Sequence, residues 1–166
     1  MQKLHKAIII GASLSGKTTL IRYLRQHTDL PVLEIDEEVL RLNNNSWPTD
    51  DEYKKNVLTP KIIHELEGRN DVVFFTNSDY FDEKTLVQLK KAGFRIIQLS
   101  LSLKELRRRN LQRVKEENYQ DMSPWLEGMV KYQRNIESRG LVDITLPADQ
   151  PTETLAKDLV PHLTNN

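Results

Sequence analysis

The chain has 166 residues, with 24 basic side chains against 24 acidic ones and no cysteine. That length supports one domain with a core of its own. The balanced charge provides no global field toward nucleic acid or anionic membrane, and the missing thiols exclude a disulfide scaffold and a thiolate metal site.

Ala7-Ile8-Ile9-Ile10 is a β-branched apolar run, and the first strand is expected over about 5–10. The run is flanked by Lys3 and Lys6 and is too short for a signal peptide, and nothing in the chain reaches the length of a membrane span. A soluble cytoplasmic protein is therefore expected. Next comes Gly11-Ala12-Ser13-Leu14-Ser15-Gly16-Lys17-Thr18-Thr19, which matches the phosphate-binding loop G-x-x-x-x-G-K-[ST]. The residues after it have helical spacing to about 26, which completes the strand–loop–helix context the motif requires. Two glycines permit the tight backbone, and inward-facing N–H groups form an anion nest. The helix N-terminus adds its dipole. In such a loop Lys17 reaches the β- and γ-phosphates and the Thr18 hydroxyl ligates Mg²⁺.

Pro31 to Ile35 is expected as a second strand, with Asp36 at its carboxyl end and a helix over about 37–42. Asn43 to Pro48 is a loop by composition. Helical spacing resumes over about 51–67, where Pro60 should kink or split the segment. Asp71 to Asn77 is the third strand. Its apolar centre predicts burial on both faces, as in a parallel sheet. A helix follows with Asp82 as N-cap and Gly93 past its end. A fourth strand is expected at Phe94–Leu101, and a helix over Leu103–Glu117 with Leu103, Leu106, Asn110, Leu111 and Val114 on one face. A further helix should start at Ser123-Pro124 and run to about 138. The fifth strand is expected at Val142–Leu146 and the last helix over about 152–162. Strands alternate with helices throughout, so a parallel sheet covered on both faces is predicted, with ligands at the carboxyl ends of the strands.

The chain contains no D-x-x-G and no N-K-x-D, so the parts a GTPase needs are missing. The phosphate loop, the acid after the second strand, the polar end of the third strand and the arginine-rich Leu106–Arg113 segment occur in one order. In that order the chain resembles the nucleoside-monophosphate-kinase-like group of small P-loop kinases, which includes adenylate, shikimate and gluconate kinases. It is most similar to the subgroup with polynucleotide kinase and antibiotic phosphotransferases. The resemblance implies a three-layer α/β/α P-loop fold with a five-stranded parallel sheet. It implies a single kinase domain over 1–166 and a helical lid over about 104–140. ATP and Mg²⁺ would serve transfer to a small-molecule or nucleotide acceptor.

On that resemblance Asp36 contacts or deprotonates the acceptor hydroxyl, with Glu37 as the fallback acid; as a plain N-cap it would need no such role. Arg41, one turn on, would hold an anionic acceptor. Asn77 would bond the acceptor or a Mg²⁺-bound water, or serve as a turn residue. Asp79 is a further metal-side carboxylate. Arg109 and Arg113 lie one helical turn apart and would clamp the nucleotide from the lid; the alternative is a solvated basic face. Trp125, Met129 and Tyr132 have the spacing of packing residues, with a lining role in the acceptor site as the alternative. Lys131, Arg134 and Arg139 are weaker phosphate contacts, and the 147–151 loop would border adenine.

There are departures from the group. Phe74 stands where related kinases often carry an aspartate, and neither D-G-[FY]-P-R nor the glycine-rich turn of shikimate kinases is present. The rival reading is a nucleotide-binding regulatory module or a slow ATPase. Action on a nucleic-acid end would need a basic track that neutral charge does not encourage.

Overall fold

The computed structural model describes residues 3–164. Among them lies one parallel sheet of five strands: β1 (Lys6–Gly11), β2 (Val32–Glu34), β3 (Val72–Asn77), β4 (Arg95–Ser100) and β5 (Ile144–Pro147), in the spatial order β2-β3-β1-β4-β5. The helices are α1 (Lys17–His27), α2 (Ile35–Leu42), a single turn α3 (Asp51–Tyr53), α4 (Thr59–Glu67), α5 (Glu83–Lys91), α6 (Leu103–Glu117), α7 (Ser123–Ser138) and α8 (Thr152–Leu159). A π-turn over Lys54–Leu58 joins α3 to α4, and a 3₁₀ turn over Val160–His162 follows α8.

Period-two alternation along β1 and β3 divides the core into two layers. Ala7, Ile9, Val73 and Phe75 face a layer closed by α1, α6 and α8. Ile8, Ile10, Val72 and Phe74 face the opposite layer, closed by α2, α4 and α5. All eight side chains are fully buried, as the apolar run in the third strand predicts. Each large one contributes about 1.5–3 kcal/mol of burial energy. Phe74 lies parallel to Phe81 with ring centroids 6.0 Å apart, so the position of the missing aspartate is packed as core.

Several expected boundaries move. The second strand is three residues long, and Ile35 and Asp36 already belong to α2. Asp36, Glu37 and Glu38 crowd the first turn of that helix, where carboxylates complement the dipole. Asp36 is therefore inside the helix rather than before it, and Glu34 occupies the N-cap position. The 51–67 segment is split as expected, with Pro60 in the first turn of α4. The turn before it widens: the Thr59 backbone N–H donates five residues back to the Lys54 carbonyl, and the Thr59 hydroxyl donates to the same oxygen at 2.9 Å.

Leu111 is 68% exposed, because the buried face of α6 runs through Leu106 and Asn110. β5 starts two residues late. Asp143 still pairs with β4, its Oδ2 accepting from the Ile96 N–H at 2.7 Å. Asp82 caps α5 as expected, accepting from the Thr85 N–H at 2.8 Å. Gly93 adopts φ +94° beyond that helix, a conformation glycine takes without strain. In the final helix, only 152–159 is α-helical. No helix is long and apolar enough to cross a membrane among the described residues.

Candidate active site at the carboxyl end of the sheet

Gly11 ends β1 opposite Asn77 at the end of β3, so the phosphate loop opens at the carboxyl edge of the central strands. Gly16 turns the loop into α1 with φ +88°, a left-handed cap for which glycine is suited. Gly11 is constrained by contact: a Cβ placed there would lie 2.6 Å from the Ser15 hydroxyl and 3.2 Å from the Lys17 side chain. Gly11→Ala should therefore push Ser15 and Lys17 out of place. A fall of at least about tenfold in nucleotide affinity is expected, with a destabilisation of about 1–3 kcal/mol. Titration calorimetry and urea unfolding check the two effects.

Lys17 is buried, and its ammonium donates to the carbonyls of Gly11 at 2.7 Å and Ala12 at 2.8 Å. Burial pulls its pKa down to about 8, against the attraction of Asp36 and Glu34. Its folded pKa is below the unfolded value, so the charged amine weakens the fold at neutral pH. Between about 8 and 10.5 the unfolded chain holds more protons than the native one, and this group's contribution to stability rises with pH. The gain across that window is at most a few kcal/mol, roughly 1.4 per pH unit. Urea midpoints measured through the window should show this rise in the wild type relative to Lys17→Met.

Asp36, in the first turn of α2, is drawn toward the loop. One carboxyl oxygen, Oδ1, is buried without a hydrogen-bond partner. Burial raises its pKa, while Lys17 and Lys54 pull it back. Glu34, at the end of β2, is also pushed up, by burial and then by Asp36 and Glu37. The Ser15 hydroxyl is a second buried polar group without a partner. Unsatisfied buried groups are expensive in a finished core and expected in a site awaiting ligand.

From the opposite side α6 closes over the loop. The Arg109 guanidinium donates to the Leu14 carbonyl at 3.0 Å and to Glu105 at 3.0 Å. Arg113 lies 4.0 Å above the Tyr119 ring and 3.5 Å from Glu117. The loop from Asn118 to Met122 is held in place by Asn110, which donates to Asp121 at 2.7 Å and accepts from the Met122 N–H at 2.8 Å. The result is a cleft of about 650 Å³ bounded by the phosphate loop, Asp36, Asn77, Arg109 and Arg113.

A second cleft of about 580 Å³ is formed by the π-turn, α4 and the turn after β3. Lys54 and Tyr80 line it, and both lie within electrostatic reach of Asp36. Asn77, in the first cleft, lies beside Tyr80, in the second. The two clefts thus adjoin at Asp36 and Asn77.

The structure brings most of the expected site residues together. The loop residues Ser13, Leu14, Gly16, Lys17, Thr18 and Thr19 border the first cleft with Asp36, Asn77, Arg109 and Arg113. Gly11, Ala12 and Ser15 lie behind them, where the two carbonyls hold Lys17. Arg41 is not brought in. It is held by Glu38 at 2.7 Å and by Glu65, and it lines neither cleft. Glu37 is engaged by Arg25 at 2.7 Å. Asp79 belongs to the second cleft, in a left-handed conformation at φ +77°.

Met129 is core, and Tyr132 donates its hydroxyl to the Phe81 carbonyl. Trp125 stands half in solvent, and Arg139 pairs with Glu83 at 3.2 Å. Lys131, Arg134 and the 147–151 loop do not border either cleft. The inner face of α7 is buried through Leu126, Met129, Val130, Gln133 and Ile136, so the part of 104–140 that meets the cleft lies between Arg109 and Met122.

Glu34 and Tyr119 also line the first cleft and Lys54 the second, and motif reading missed all three. Only Glu34 had a signal, a charged residue in a short strand next to Asp36. Gln133 was missed as well. It donates to Ser78 at 3.0 Å and to the Leu99 carbonyl at 3.2 Å, and the Ser78 N–H donates to Gly11 at 3.2 Å, so α7 is tied to the phosphate loop.

The residues fit a nucleoside polyphosphate. The Ser15 and Lys17 side chains pack so closely over Gly11 that a Cβ has no room there, and the buried Ser15 hydroxyl lacks a partner. Among the described residues no group of three or more histidine, aspartate or glutamate side chains could hold a metal alone. The Thr18 hydroxyl borders the first cleft, where it would be one ligand to a Mg²⁺ otherwise held by phosphate and water.

Sheet order, strand–loop–helix junction and covering layers define a three-layer α/β/α P-loop fold with a helical cover over the loop. No protein-family model and no curated protein matches the chain. Solved structures do. A shikimate kinase from Acinetobacter baumannii, in complex with shikimate, superposes with a TM-score of 0.70 at 17% identity, over 96% of this chain and 92% of that one. A shikimate kinase from Aquifex aeolicus gives 0.67 at 20% identity, over 95% and 94%. A gluconokinase from Sinorhizobium meliloti 1021 gives 0.66 at 15% identity, over 98% and 93%. The chain therefore has the fold of the small P-loop kinases.

Proposed function

We propose that the protein is an ATP- and Mg²⁺-dependent kinase, a single domain that transfers the γ-phosphoryl group to a small-molecule acceptor bound in the second cleft. The observation that carries this reading is the meeting of Lys17, Asp36 and Arg109 around the first cleft, with the second cleft beside Asp36. Similarity in fold to gluconokinase and shikimate kinases supports it.

Lys17 leaves the Gly11 and Ala12 carbonyls and pairs with the β- and γ-phosphate oxygens. Nearby phosphate raises its pKa and holds it charged. The loop amides take the remaining charge. Thr18 would hold a Mg²⁺ that enters with the nucleotide, and that ion would supply neutralisation of charge on the phosphates. Asp36 accepts the hydrogen bond of the acceptor hydroxyl, orients the oxygen toward phosphorus and takes its proton as transfer proceeds. Its raised pKa keeps it basic enough for that task. Arg109 exchanges the Leu14 carbonyl for phosphate oxygens, and Arg113 with Tyr119 offers a flat surface to the base. Closure of the 109–122 segment keeps water from the γ-phosphate.

The test is ADP formation with Mg²⁺ across a panel of hydroxyl and phosphate acceptors, alongside calorimetry of ATP binding. Strong stimulation by one acceptor is expected. Tight ATP binding with no stimulation by any acceptor would favour a regulatory nucleotide-binding module.

A further inference from the structure

We infer that the acceptor is a hydroxyl-rich compound that carries no phosphate or carboxylate group. This rests on the phosphoryl-transfer reading above and on the charge built into the second cleft. Its lining includes three aspartates, Asp51, Asp79 and Asp82, against two lysines, Lys54 and Lys55. Asp36 adds a further carboxylate at its inner end.

The cations there are already engaged. The Lys54 ammonium is 3.3 Å from the Tyr80 hydroxyl and 3.8 Å from Asp51, and it sits 5.0 Å from the Tyr80 ring centre and 5.5 Å from that of Trp47. It also faces Asp36 and Asp79. Lys55 is exposed at the rim, within reach of Asp82. No arginine lines the cleft, and Arg41, the nearest candidate by sequence, is bound to Glu38 and Glu65.

Meanwhile the carboxylates that face Lys54 accept no hydrogen bond from the described residues. Asp36 Oδ1 is buried without a partner, and Asp79, exposed on the open side of the cleft, accepts no hydrogen bond among the described residues. A carboxylate accepts only, so the complement it calls for is O–H or N–H. A ligand carboxylate or phosphate brings more acceptors and more negative charge into a cavity that has a surplus of both, a built-in discrimination against acids. The Tyr80 ring and Ile63 give the cleft an apolar face on which the carbon skeleton of a polyol can rest.

The experiment uses the full chain with ATP and Mg²⁺ and compares acceptors in pairs that differ by the acid group: adenosine with its monophosphate, glucose with gluconate, and methyl shikimate with shikimate. ATP binding is measured in parallel. The expected result is stimulation of ADP formation by an uncharged member, with kcat/KM at least about tenfold above its acidic counterpart, the ratio set by a like charge held nearby.

Asp79→Asn should shrink that ratio several-fold. Asparagine tolerates the left-handed backbone at this position, so the variant should fold. Preference for an acidic member overturns the inference while leaving the kinase reading intact. Silence from every uncharged member, with ATP bound, also counts against it. Failure to bind ATP removes the kinase reading itself.

Discussion

Lys17→Ala should reduce kcat/KM for phosphoryl transfer by at least about 10³-fold. The lysine is buried and sits inside the phosphate loop, so nothing else can supply its charge at the same place. Arg109 approaches from outside and meets Leu14, at the opposite rim. The fold should survive the change. The Gly11 carbonyl keeps the Ser78 N–H at 3.2 Å, and removing an amine whose charge burial disfavours offsets the lost Ala12 contact. Steady-state kinetics and a thermal melt on the same preparation separate the two effects. Transfer at the wild-type rate would show that the phosphates bind elsewhere.

Asp36→Asn is expected to lower kcat by about 10²–10⁴-fold, the range for removing a general base, with a smaller change in the KM for ATP. The same substitution should leave stability equal or higher near neutral pH. Burial raises the Asp36 pKa, so the ionised form is disfavoured in the native state. Such a group stabilises below its unfolded pKa, and that contribution is lost as pH rises through its folded value. Asparagine is uncharged at every pH and avoids the loss. A mutation that costs activity and spares or improves stability distinguishes a catalytic carboxylate from a helix-capping one, whose removal would cost about 1 kcal/mol. A drop in melting temperature with activity retained would assign Asp36 to structure alone.

Much of this was legible in the sequence because local physics dictated it. The phosphate loop needs its glycines where backbone contact and left-handed turns require them, and both requirements are visible at Gly11 and Gly16. Strands β1, β3 and β4 were plain because burial on both faces forces unbroken apolar runs. Helical spacing put Arg109 and Arg113 on one face, and the resemblance to small kinases pointed that face at the phosphate loop.

What was not legible depended on long-range contact. The fate of Arg41 was decided by Glu65, on a different helix. Lys54 became a site residue because Trp47 and Tyr80, from two separate segments, enclose its ammonium. Tyr119 joined Arg113 through a left-handed turn at Asn118, which no periodicity announces. The start of α2 slipped because three consecutive acids favour a helix N-terminus more than a strand end.

The most direct test of the account is to follow label from ATP marked at the γ-phosphorus, with Mg²⁺ and the stimulating acceptor, and to measure how much reaches the acceptor and how much appears as inorganic phosphate. The account predicts nearly all of it on the acceptor oxygen, with both products absent for Lys17→Ala. Release of the label as inorganic phosphate, at a rate no acceptor changes, would contradict it.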